Sequence, residues 1–377
     1  MRMRIGLVVT GGVDRSGRER VVPTLLWLIE RLARRHDVHV FALHHYREPC
    51  TYPLLGATVH DVGRVDGPPG LRRVRLRARL ASAIAAVGRF DVLHAYLAMP
   101  AGVVATQVGR RLGVPVVVSC SSGEFVSLDD IAYGVQRRWI DRRAIAAVVR
   151  TAARITVDTA FMAQLAGAHG ARVDIIPMGV DTRAFPVAVR VDGPPWRLLR
   201  VASLNPVKDY PTLLHALDRI VRGGLDVHLD IVGEDTMHGA VQRLTRALGL
   251  DARVTFHGFQ PTESLAAFYA RAHLHVAPSR HEGAGAVMLE AASTGLASVG
   301  TSVGYLSDWH PDRGLAVPVR DPDALAAAVI DLLQDPARRG QIASAARAWT
   351  LEHDADWTSR QFERTYEELQ QPKKGEV

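Results

Sequence analysis

The sequence has 377 residues, carries a net charge of +7 and is 47% hydrophobic, which predicts a globular protein of two or three domains. Its two cysteines, Cys50 and Cys120, are too few for a disulfide framework or a zinc site and fit a reducing compartment. No apolar run approaches the roughly 20 residues of a membrane span, so we expect a cytoplasmic protein.

The first predicted element is a buried parallel strand over residues 4–10, whose apolar run is too short for a signal peptide. A glycine loop follows, and Ser16 with Glu19 forms a capping-box pattern that begins a helix. That helix carries apolar residues at helical spacing: Val22, Leu25, Leu26, Ile29 and Leu32. Gly12 and Gly17 do not complete a G-x-G-x-x-G fingerprint, which excludes a Rossmann dinucleotide loop. The loop either contacts a ligand or is a tight turn only.

Strands and helices alternate through the rest of the first half. We predict strands over residues 37–43, 90–94, 114–119, 155–158 and 173–177, and helices over residues 71–87, 101–112 and 131–152. The helix over residues 71–87 carries arginines at 72, 73, 75, 77 and 79. These could contact anionic lipid or an acidic acceptor, but their spread around the helix favours a solvated face over peripheral membrane contact.

The second half has the same alternation, which is typical of a doubly wound parallel sheet. Strands are predicted over residues 198–203, 227–232, 254–257, 274–277, 297–300 and 315–317, and helices begin near Pro211, Gly239, Thr262, Ala286 and Pro322. A last helix over residues 354–369 carries an aromatic stripe of Trp357, Phe362 and Tyr366, which indicates core packing rather than a cofactor site.

Residues 279–300 combine a strand end, a loop of small residues and a helix start. Glu282 precedes Gly283-Ala284-Gly285, and Glu290 lies in the first turns of the helix. Free amides at a helix start suit a diphosphate. A carboxylate among apolar residues, as at Glu290, needs donors, and a ribose diol would supply two hydroxyls.

Among the 46 lysine and arginine residues, only Lys208, Lys373 and Lys374 are lysine. Lys208 is therefore informative. A lysine among so many arginines indicates that a compact, flexible ammonium is needed at this position. Chance retention of a lysine is the alternative.

The segments EGAGAVMLE, VASLNPVKDYPTLLHAL, IPMGVDTRAF and DVLHAY…AGVVATQVGRRLGVPVVVS resemble glycosyltransferase family four, retaining enzymes of the GT-B fold. The resemblance implies an α/β protein with two Rossmann-like doubly wound domains that face a cleft. The expected domains are residues 1–186 for the acceptor and 197–350 for the sugar nucleotide, joined by a linker at 187–196. A helix at 351–370 then crosses back to the first domain, and residues 371–377 are a tail.

The resemblance also implies which residues form the site. Catalysis is expected from Glu282 and Lys208, and donor binding from Lys208, Gly283, Ala284, Gly285, Glu290, Phe259 and Gly12. The residues expected on the acceptor side are Gly17, Arg18, His94, Ser121 and Glu124.

Two positions depart from the family pattern. Ser121 stands where many members carry a histidine, and Glu124 is the nearest substitute. Ser203 stands where a phosphate-binding arginine is expected, so the donor would rely on helix amides, Arg280 or Arg18.

These features predict a hexosyltransferase that moves a sugar from a nucleoside diphosphate sugar to an unidentified acceptor, with retention at the anomeric carbon. No cofactor or metal is expected, because no cluster of ligating residues has convincing metal spacing. The expected partners are the sugar nucleotide and the acceptor, with no nucleic acid. Two alternatives stay open: a sugar-nucleotide-binding protein without transferase activity, and a sugar-nucleotide epimerase on the same fold.

Overall fold

Two mainly parallel β-sheets organise residues 2–371, the part of the chain that the structure, a computed structural model, describes. The chain divides into two units, Met1–Met178 with Ala355–Val377, and Gly179–Asp354. Of the tail expected at residues 371–377, all but Gln371 lies outside the described residues.

The first unit contains the strands β1 (Arg4–Val9), β2 (Asp37–Ala42), β3 (Cys50–Leu54), β4 (Ala57–Asp61), β5 (Val92–Tyr96), β6 (Val116–Cys120), β7 (Arg154–Val157) and β8 (Asp174–Ile175). They form one sheet in the order β3-β4-β2-β1-β5-β6-β7-β8, with β3 antiparallel to β4 and the other neighbours parallel. Its helices are α1 (Pro23–Ala33), α2 (Pro69–Val87), α3 (Val103–Leu112), α4 (Trp139–Thr151) and α5 (Ala160–Ala168).

The second unit contains the strands β9 (Trp196–Val201), β10 (Val227–Val232), β11 (Val254–Phe256), β12 (Leu274–Ala277), β13 (Ser298–Thr301) and β14 (Leu315–Val317). They form a parallel sheet in the order β11-β10-β9-β12-β13-β14. Its helices are α6 (Tyr210–Arg222), α7 (Ala240–Ala247), α8 (Thr262–Arg271), α9 (Ala286–Ser293), α10 (Tyr305–Trp309), α11 (Pro322–Gln334) and α12 (Pro336–Glu352). The prediction of two Rossmann-like, doubly wound domains is confirmed.

The last helix, α13 (Ala355–Gln370), belongs to the first unit and packs against α1. Phe362 and Tyr366 are fully buried there in the apolar layer that also contains the interior residues of α1. The interpretation of their aromatic stripe as core packing is therefore confirmed.

The predicted start of the first helix is wrong. Helix α1 begins at Pro23, because proline lacks an amide hydrogen and fits only the first turn of a helix. Ser16 instead stabilises a turn, where its Oγ accepts hydrogen bonds from the backbone N–H groups of Arg18 and Glu19, both at 3.2 Å. Similarly, residues 131–138 form short turns rather than the predicted start of α4, since Ala132 and Gly134 have positive φ angles.

Each sheet has one switch point, where the order of successive strands reverses: between β1 and β5 in the first unit, and between β9 and β12 in the second. Loops that leave the carboxyl ends of such strands diverge and form a crevice that binds ligands in this fold class. These two places are therefore where functional side chains are expected to lie.

Candidate functional site

An ion pair between Lys208 and Glu282 spans the switch point of the second unit. Lys208 follows β9 and Glu282 follows β12, and the lysine Nζ lies 2.6 Å from the carboxylate Oε1. A backbone hydrogen bond of 2.7 Å, from the N–H of Arg280 to the carbonyl of Val207, joins the two loops. The two residues predicted to be catalytic are thus in direct contact.

The Glu282 carboxylate is charged although it is buried. Burial raises its pKa, but the positive charges of Lys208 and Arg200, with hydrogen bonds from Lys208 and Ser279, outweigh that effect and lower the pKa below its usual value. With only 8% of Glu282 exposed, the pair forms in a poorly solvated environment, where the attraction between charges is stronger than in water.

Arg200 is the residue of this site that the sequence reasoning missed. It lies on β9 with its side chain fully buried, and its Nη2 donates to Ser279 Oγ at 2.8 Å. Ser279 Oγ in turn donates to Glu282 Oε1 at 2.7 Å. The sequence did contain a signal for Arg200, because an arginine within the apolar run of a buried strand requires a partner for its charge.

The small residues after Glu282 bring a helix start close to the ion pair. Gly285 has a φ of 82° and precedes the first residue of α9, so this loop turns through a backbone conformation that glycine tolerates best. Gly304 lies against the loop from the other side: a Cβ there would come within 2.6 Å of the Ala284 carbonyl. Gly283, Ala284 and Gly285 therefore lie where the donor prediction placed them, between Glu282 and the N-terminus of α9.

Glu290 lies inside α9 and is 3% exposed. The Tyr269 hydroxyl, from α8, donates to its Oε2 at 2.7 Å. Burial raises the pKa of Glu290 to about 7, and the phenol offsets only part of that increase. The carboxyl is thus half-protonated near neutral pH, a property that its position in the sequence did not indicate.

Two predicted positions of the second unit lie further from this centre. Phe259 follows the edge strand β11, two strands away from β9, and is 53% exposed. Ser203 lies in the loop before Lys208 and accepts a hydrogen bond of 2.9 Å from Asn205 Nδ2. Its side chain therefore shapes the loop and supplies no charge in place of the expected arginine.

Gly12, Gly17 and Arg18 lie in the loop after β1, in the first unit, whereas the other predicted donor residues belong to the second. Gly12 has a φ of 79°, and a Cβ there would lie 2.6 Å from Val22 Cγ2. Arg18 is exposed on the same loop. The loop is organised by Asp14, which the sequence reasoning missed.

Asp14 is buried and accepts hydrogen bonds from Arg20, from the Tyr46 hydroxyl at 2.9 Å and from the Ser16 N–H at 2.9 Å, while His45 Nε2 lies 3.0 Å away. Burial alone raises its pKa, but these hydrogen bonds outweigh burial and hold the pKa far below its usual value. This carboxylate keeps the glycine loop in one shape.

Two buried acids lie at the carboxyl ends of β6 and β7. Glu124 accepts hydrogen bonds from the backbone N–H groups of Ser122 at 2.8 Å and Ala98 at 3.3 Å, and burial raises its pKa. Asp158 accepts one from the N–H of Met178 at 3.2 Å, and burial raises its pKa from 3.8 to about 7.

Ser121 lies beside these acids. Its buried hydroxyl interacts with the carboxyl of Asp158 and the hydroxyl of Tyr96, and the interaction with Asp158 offsets part of the increase that burial causes in the pKa of that acid. A buried carboxyl beside two hydroxyls marks a place where a further hydroxyl or a water would be stabilised.

His94, predicted on the acceptor side, lies in the interior of β5 and is 2% exposed. Its ring nitrogens lie 2.6 Å from the Tyr366 hydroxyl and 2.7 Å from Ser119 Oγ, and burial lowers its pKa to about 3. His94 is therefore a neutral core residue that ties α13 to the sheet, and we do not include it in the acceptor site proposed below.

The arginines of α2 line a cavity of about 510 Å³ with arginines of α3 and α4; the set is Arg73, Arg77, Arg110, Arg111 and Arg143. The solvated face favoured over peripheral membrane contact for the α2 arginines stays a prediction. No helix within residues 2–371 is both long and apolar enough to cross a bilayer. Over the same stretch, no group of three or more histidine, cysteine or acidic side chains is arranged to hold a metal ion.

Comparison with known families and proteins agrees with this geometry. Residues 195–335 match the family model described as Glycosyl transferases group 1, and residues 21–179 match the Glycosyl transferase 4-like domain. The chain is 30% identical over 283 residues to the D-inositol 3-phosphate glycosyltransferase of Frankia alni, which covers 69% of each protein.

Two solved structures have the same fold. Sucrose-phosphate synthase from Thermosynechococcus elongatus superposes with a TM-score of 0.82 at 20% identity, over 98% of this chain and 99% of that one. Anabaena Alr3699/HepE, solved with UDP-glucose, superposes with a TM-score of 0.75 at 18% identity, over 97% of this chain and all of that one.

Proposed function

This chain belongs to the group 1 glycosyl transferases, and from that premise we propose that it transfers a sugar from a nucleoside diphosphate sugar to a hydroxyl of its acceptor. The proposed reaction retains the configuration of the anomeric carbon and needs no metal ion. The observation that carries the proposal is the ion pair between Lys208 and Glu282 at the switch point of the second unit, next to the start of α9.

The donor diphosphate is proposed to bind at this switch point. Backbone amides that begin α9 point toward an anion there, and the positive end of the helix dipole favours negative charge. Lys208 adds a mobile ammonium with three donors. Together they would stabilise the charge that develops on the leaving diphosphate, which is the role a metal ion has in other transferases.

The two glutamates have different proposed roles. Glu282 holds hydroxyls of the transferred sugar and stabilises the cationic transition state, because its carboxylate is charged at neutral pH. Glu290 binds the ribose diol, since its carboxyl is buried in α9 with a single phenol donor on Oε2.

The acceptor is proposed to bind beyond the carboxyl ends of β6 and β7 in the first unit, among Ser121, Glu124 and Asp158, with Gly17 and Arg18 contributed by the loop after β1. A protonated carboxyl both donates and accepts hydrogen bonds, and Asp158, with its pKa raised to about 7, is half-protonated near neutral pH and therefore suits hydroxyl groups. The Frankia alni relative is named for D-inositol 3-phosphate, and a polyhydroxylated acceptor of that general kind fits.

In the proposed transfer, the acceptor oxygen attacks from the face that the diphosphate leaves. The new bond joins that oxygen to the anomeric carbon as the bond from this carbon to the diphosphate breaks. The acceptor proton passes to the departing diphosphate, so that no protein base is required.

The test begins with a thermal-shift panel of nucleoside diphosphates and their sugars, UDP-glucose included, each with and without a chelator. A ligand at 100 times its Kd stabilises a protein by about 2.7 kcal/mol. Release of the nucleoside diphosphate is then followed with and without polyol acceptors, and the anomeric configuration of the product is read by NMR.

Stabilisation with chelator present, followed by acceptor-dependent release and a retained anomer, supports the proposal. Stabilisation that vanishes with chelator contradicts metal independence. A different sugar nucleotide formed without acceptor indicates an epimerase, and binding without any release indicates a binding protein.

A further inference from the structure

Arg200 is buried at the back of the donor loops and is incompletely hydrogen-bonded. Its Nη2 donates to Ser279 Oγ, and the guanidinium also interacts with the Tyr210 hydroxyl, but Nε and Nη1 make no hydrogen bond of ordinary geometry within residues 2–371. A buried guanidinium with unused donors is costly, and an arginine that served packing alone would be replaced by an apolar side chain without loss. Its position therefore requires a charge-based explanation.

The groups around Arg200 supply that explanation. Glu282 interacts with two cations, Lys208 directly and Arg200 through Ser279. The other ionisable groups that interact with these residues are Tyr210, Tyr269, His275 and Glu290, and Asp235 acts on Tyr210 as well.

Apart from Asp235, whose charge acts on Tyr210, none of these neighbours supplies a firm second negative charge. Burial raises the pKa of both tyrosines, lowers that of His275 to about 3 and raises that of Glu290 to about 7. The charged core of the site thus consists of two cations and one carboxylate. That surplus of positive charge is suited to an incoming anion.

Binding of a diphosphate would change the partners of Lys208. Its ammonium is held by Glu282 in the free protein, and it can contact a phosphate only by sharing or leaving that carboxylate. Glu282 then needs another countercharge, and the guanidinium of Arg200 is already connected to it by two hydrogen bonds of 2.8 and 2.7 Å. Arg200 itself is fully buried and does not reach the ligand.

We propose that Arg200 is a positioning residue which, through Ser279, holds the Glu282 carboxylate in place and supplies its countercharge when Lys208 binds the diphosphate. This inference rests on the donor site proposed above. It also explains how the site functions with Ser203 in place of the expected arginine: the second cation lies on β9, behind the carboxylate rather than beside the phosphates.

The first test measures the titration of Glu282 in the unliganded protein. Glutamate is labelled with ¹³C at the carboxyl carbon, and the Glu282 signal is assigned by its loss in Glu282→Gln. We expect Arg200→Met to raise the pKa of Glu282 by about 1 unit, the lower end for loss of a nearby opposite charge. Ser279→Ala, which removes one oxygen and little volume, should raise it less.

Arg197→Met is the matched control, because Arg197 lies on the same strand but pairs with Asp230 at 3.7 Å. It should leave the Glu282 titration unchanged. A Glu282 pKa that is unmoved in Arg200→Met overturns the inference. If that variant does not fold, an unmoved pKa in Ser279→Ala overturns it equally.

The second test separates binding from turnover with UDP-glucose as the probe. Arg200→Met should lower kcat at least tenfold and change KM less than threefold. The acid limb of the kcat profile, the pH range in which kcat falls on acidification, should move to higher pH. Arg200→Lys, which retains the charge, should restore most of the acid limb. Equal losses of kcat at every pH overturn the proposed role. A wild-type protein that binds no nucleoside diphosphate instead contradicts the proposed function, while the titration result still reports on Arg200.

Discussion

Buried acids lie at the carboxyl ends of both sheets, and their pKa values move in opposite directions. In the second unit, Glu282 lies between Lys208 and Arg200, and its pKa is lowered. In the first unit, Glu124 and Asp158 accept hydrogen bonds from backbone amides, and both pKa values are raised. Burial acts in the same direction on all three carboxyls. The nearby cations of the second unit therefore decide whether the pKa falls or rises.

This difference separates two kinds of binding chemistry. A site with two cations and a charged carboxylate is prepared for a diphosphate and for positive charge that develops on a sugar. A site with a half-protonated acid, as at Asp158, is prepared for neutral hydroxyl groups, since that acid can donate as well as accept. The fold places both kinds at the carboxyl ends of parallel strands: the cations and Glu282 lie at the switch point of the second unit, and the acids of the first unit follow β6 and β7, to one side of its switch point.

The largest expected effect comes from Glu282→Ala. Turnover should fall about 100-fold to 1000-fold, the size seen when a preorganised electrostatic group is removed. Affinity for the nucleoside diphosphate should change little, because the substitution frees Lys208 to contact the phosphates. Calorimetry and steady-state rates measure the two quantities, with the exposed Glu352→Ala as control. Equal losses of affinity and turnover would contradict the assignment of Glu282 to the transferred sugar.

The second prediction concerns stability against pH. The pKa of Asp158 rises from 3.8 in its ordinary state to about 7 in the fold, so its contribution to stability is present below 3.8 and lost as the pH rises toward 7. Relative to Asp158→Asn, the wild type should lose roughly 2 to 3 kcal/mol of unfolding free energy between pH 5 and pH 8. Asp174→Asn, at an exposed strand position, is the control and should show no such difference.

Glu282→Gln should show the opposite sign in the same urea-unfolding series. The folded pKa of Glu282 is lowered below 4.5, so its stabilising contribution is present above that pH and lost below it. The deficit of the variant should be constant from pH 6 to pH 8 and shrink below pH 4.5. If stability changed with pH in the same direction for Asp158 and Glu282, the proposed difference between the two units would be contradicted.

The third prediction concerns the cation that contacts the ligand. Lys208→Met should weaken nucleoside diphosphate binding by roughly 1.5 to 3 kcal/mol, the range for a hydrogen bond to a charged group. Lys208→Arg should retain part of the affinity but lose turnover, since a planar guanidinium fits poorly where a compact ammonium is required. Unchanged affinity in Lys208→Met, measured by calorimetry with chelator present, would reject the phosphate assignment.

The sequence could predict the parts of the fold that local patterns encode. Strands with continuous apolar runs and most of the longer helices were found, whereas the helices α5, α10 and α12 and the β3–β4 hairpin were missed. Its turn, Leu55-Gly56, has positive φ at both residues, but leucine gives no turn signal there in place of the usual asparagine or aspartate. The start of α1 was wrong because Ser16 caps a turn with the same chemistry as a helix cap.

The residues of the site likewise divide into those that the sequence could predict and those that it could not. The proximity of Lys208 and Glu282 was predictable, since both follow strands of one parallel sheet at its carboxyl end. Arg200 and Asp158 were not, because a buried charge is interpretable only with its partners, and those come from elements far away in the chain. Tyr269 was missed for the same reason: its hydroxyl meets Glu290, 21 residues later, from another helix.

Glu290 lies in the second unit, but its pKa is raised like those of Glu124 and Asp158 in the first. Its Oε2 accepts from the neutral Tyr269 phenol, and its pKa is raised to about 7. The sign of the shift therefore follows the presence of a cation and not the unit in which the acid lies. Tyr269→Phe tests this distinction, because it removes the one side-chain hydrogen bond that lowers the pKa of Glu290.

The Tyr269→Phe variant should raise the pKa of Glu290 further, so that at pH 7 fewer molecules present a carboxylate to the ribose. Nucleoside diphosphate affinity should fall by about 0.5 to 1.5 kcal/mol, the net value of one hydrogen bond. The deficit should shrink at pH 9, where Glu290 is ionised in both proteins. Tyr366→Phe is the control, since it loses a buried phenol beside His94 in the first unit and should leave nucleotide affinity unchanged. A deficit of the same size at every pH would mean that Tyr269 orders α9 without acting on the proton of Glu290.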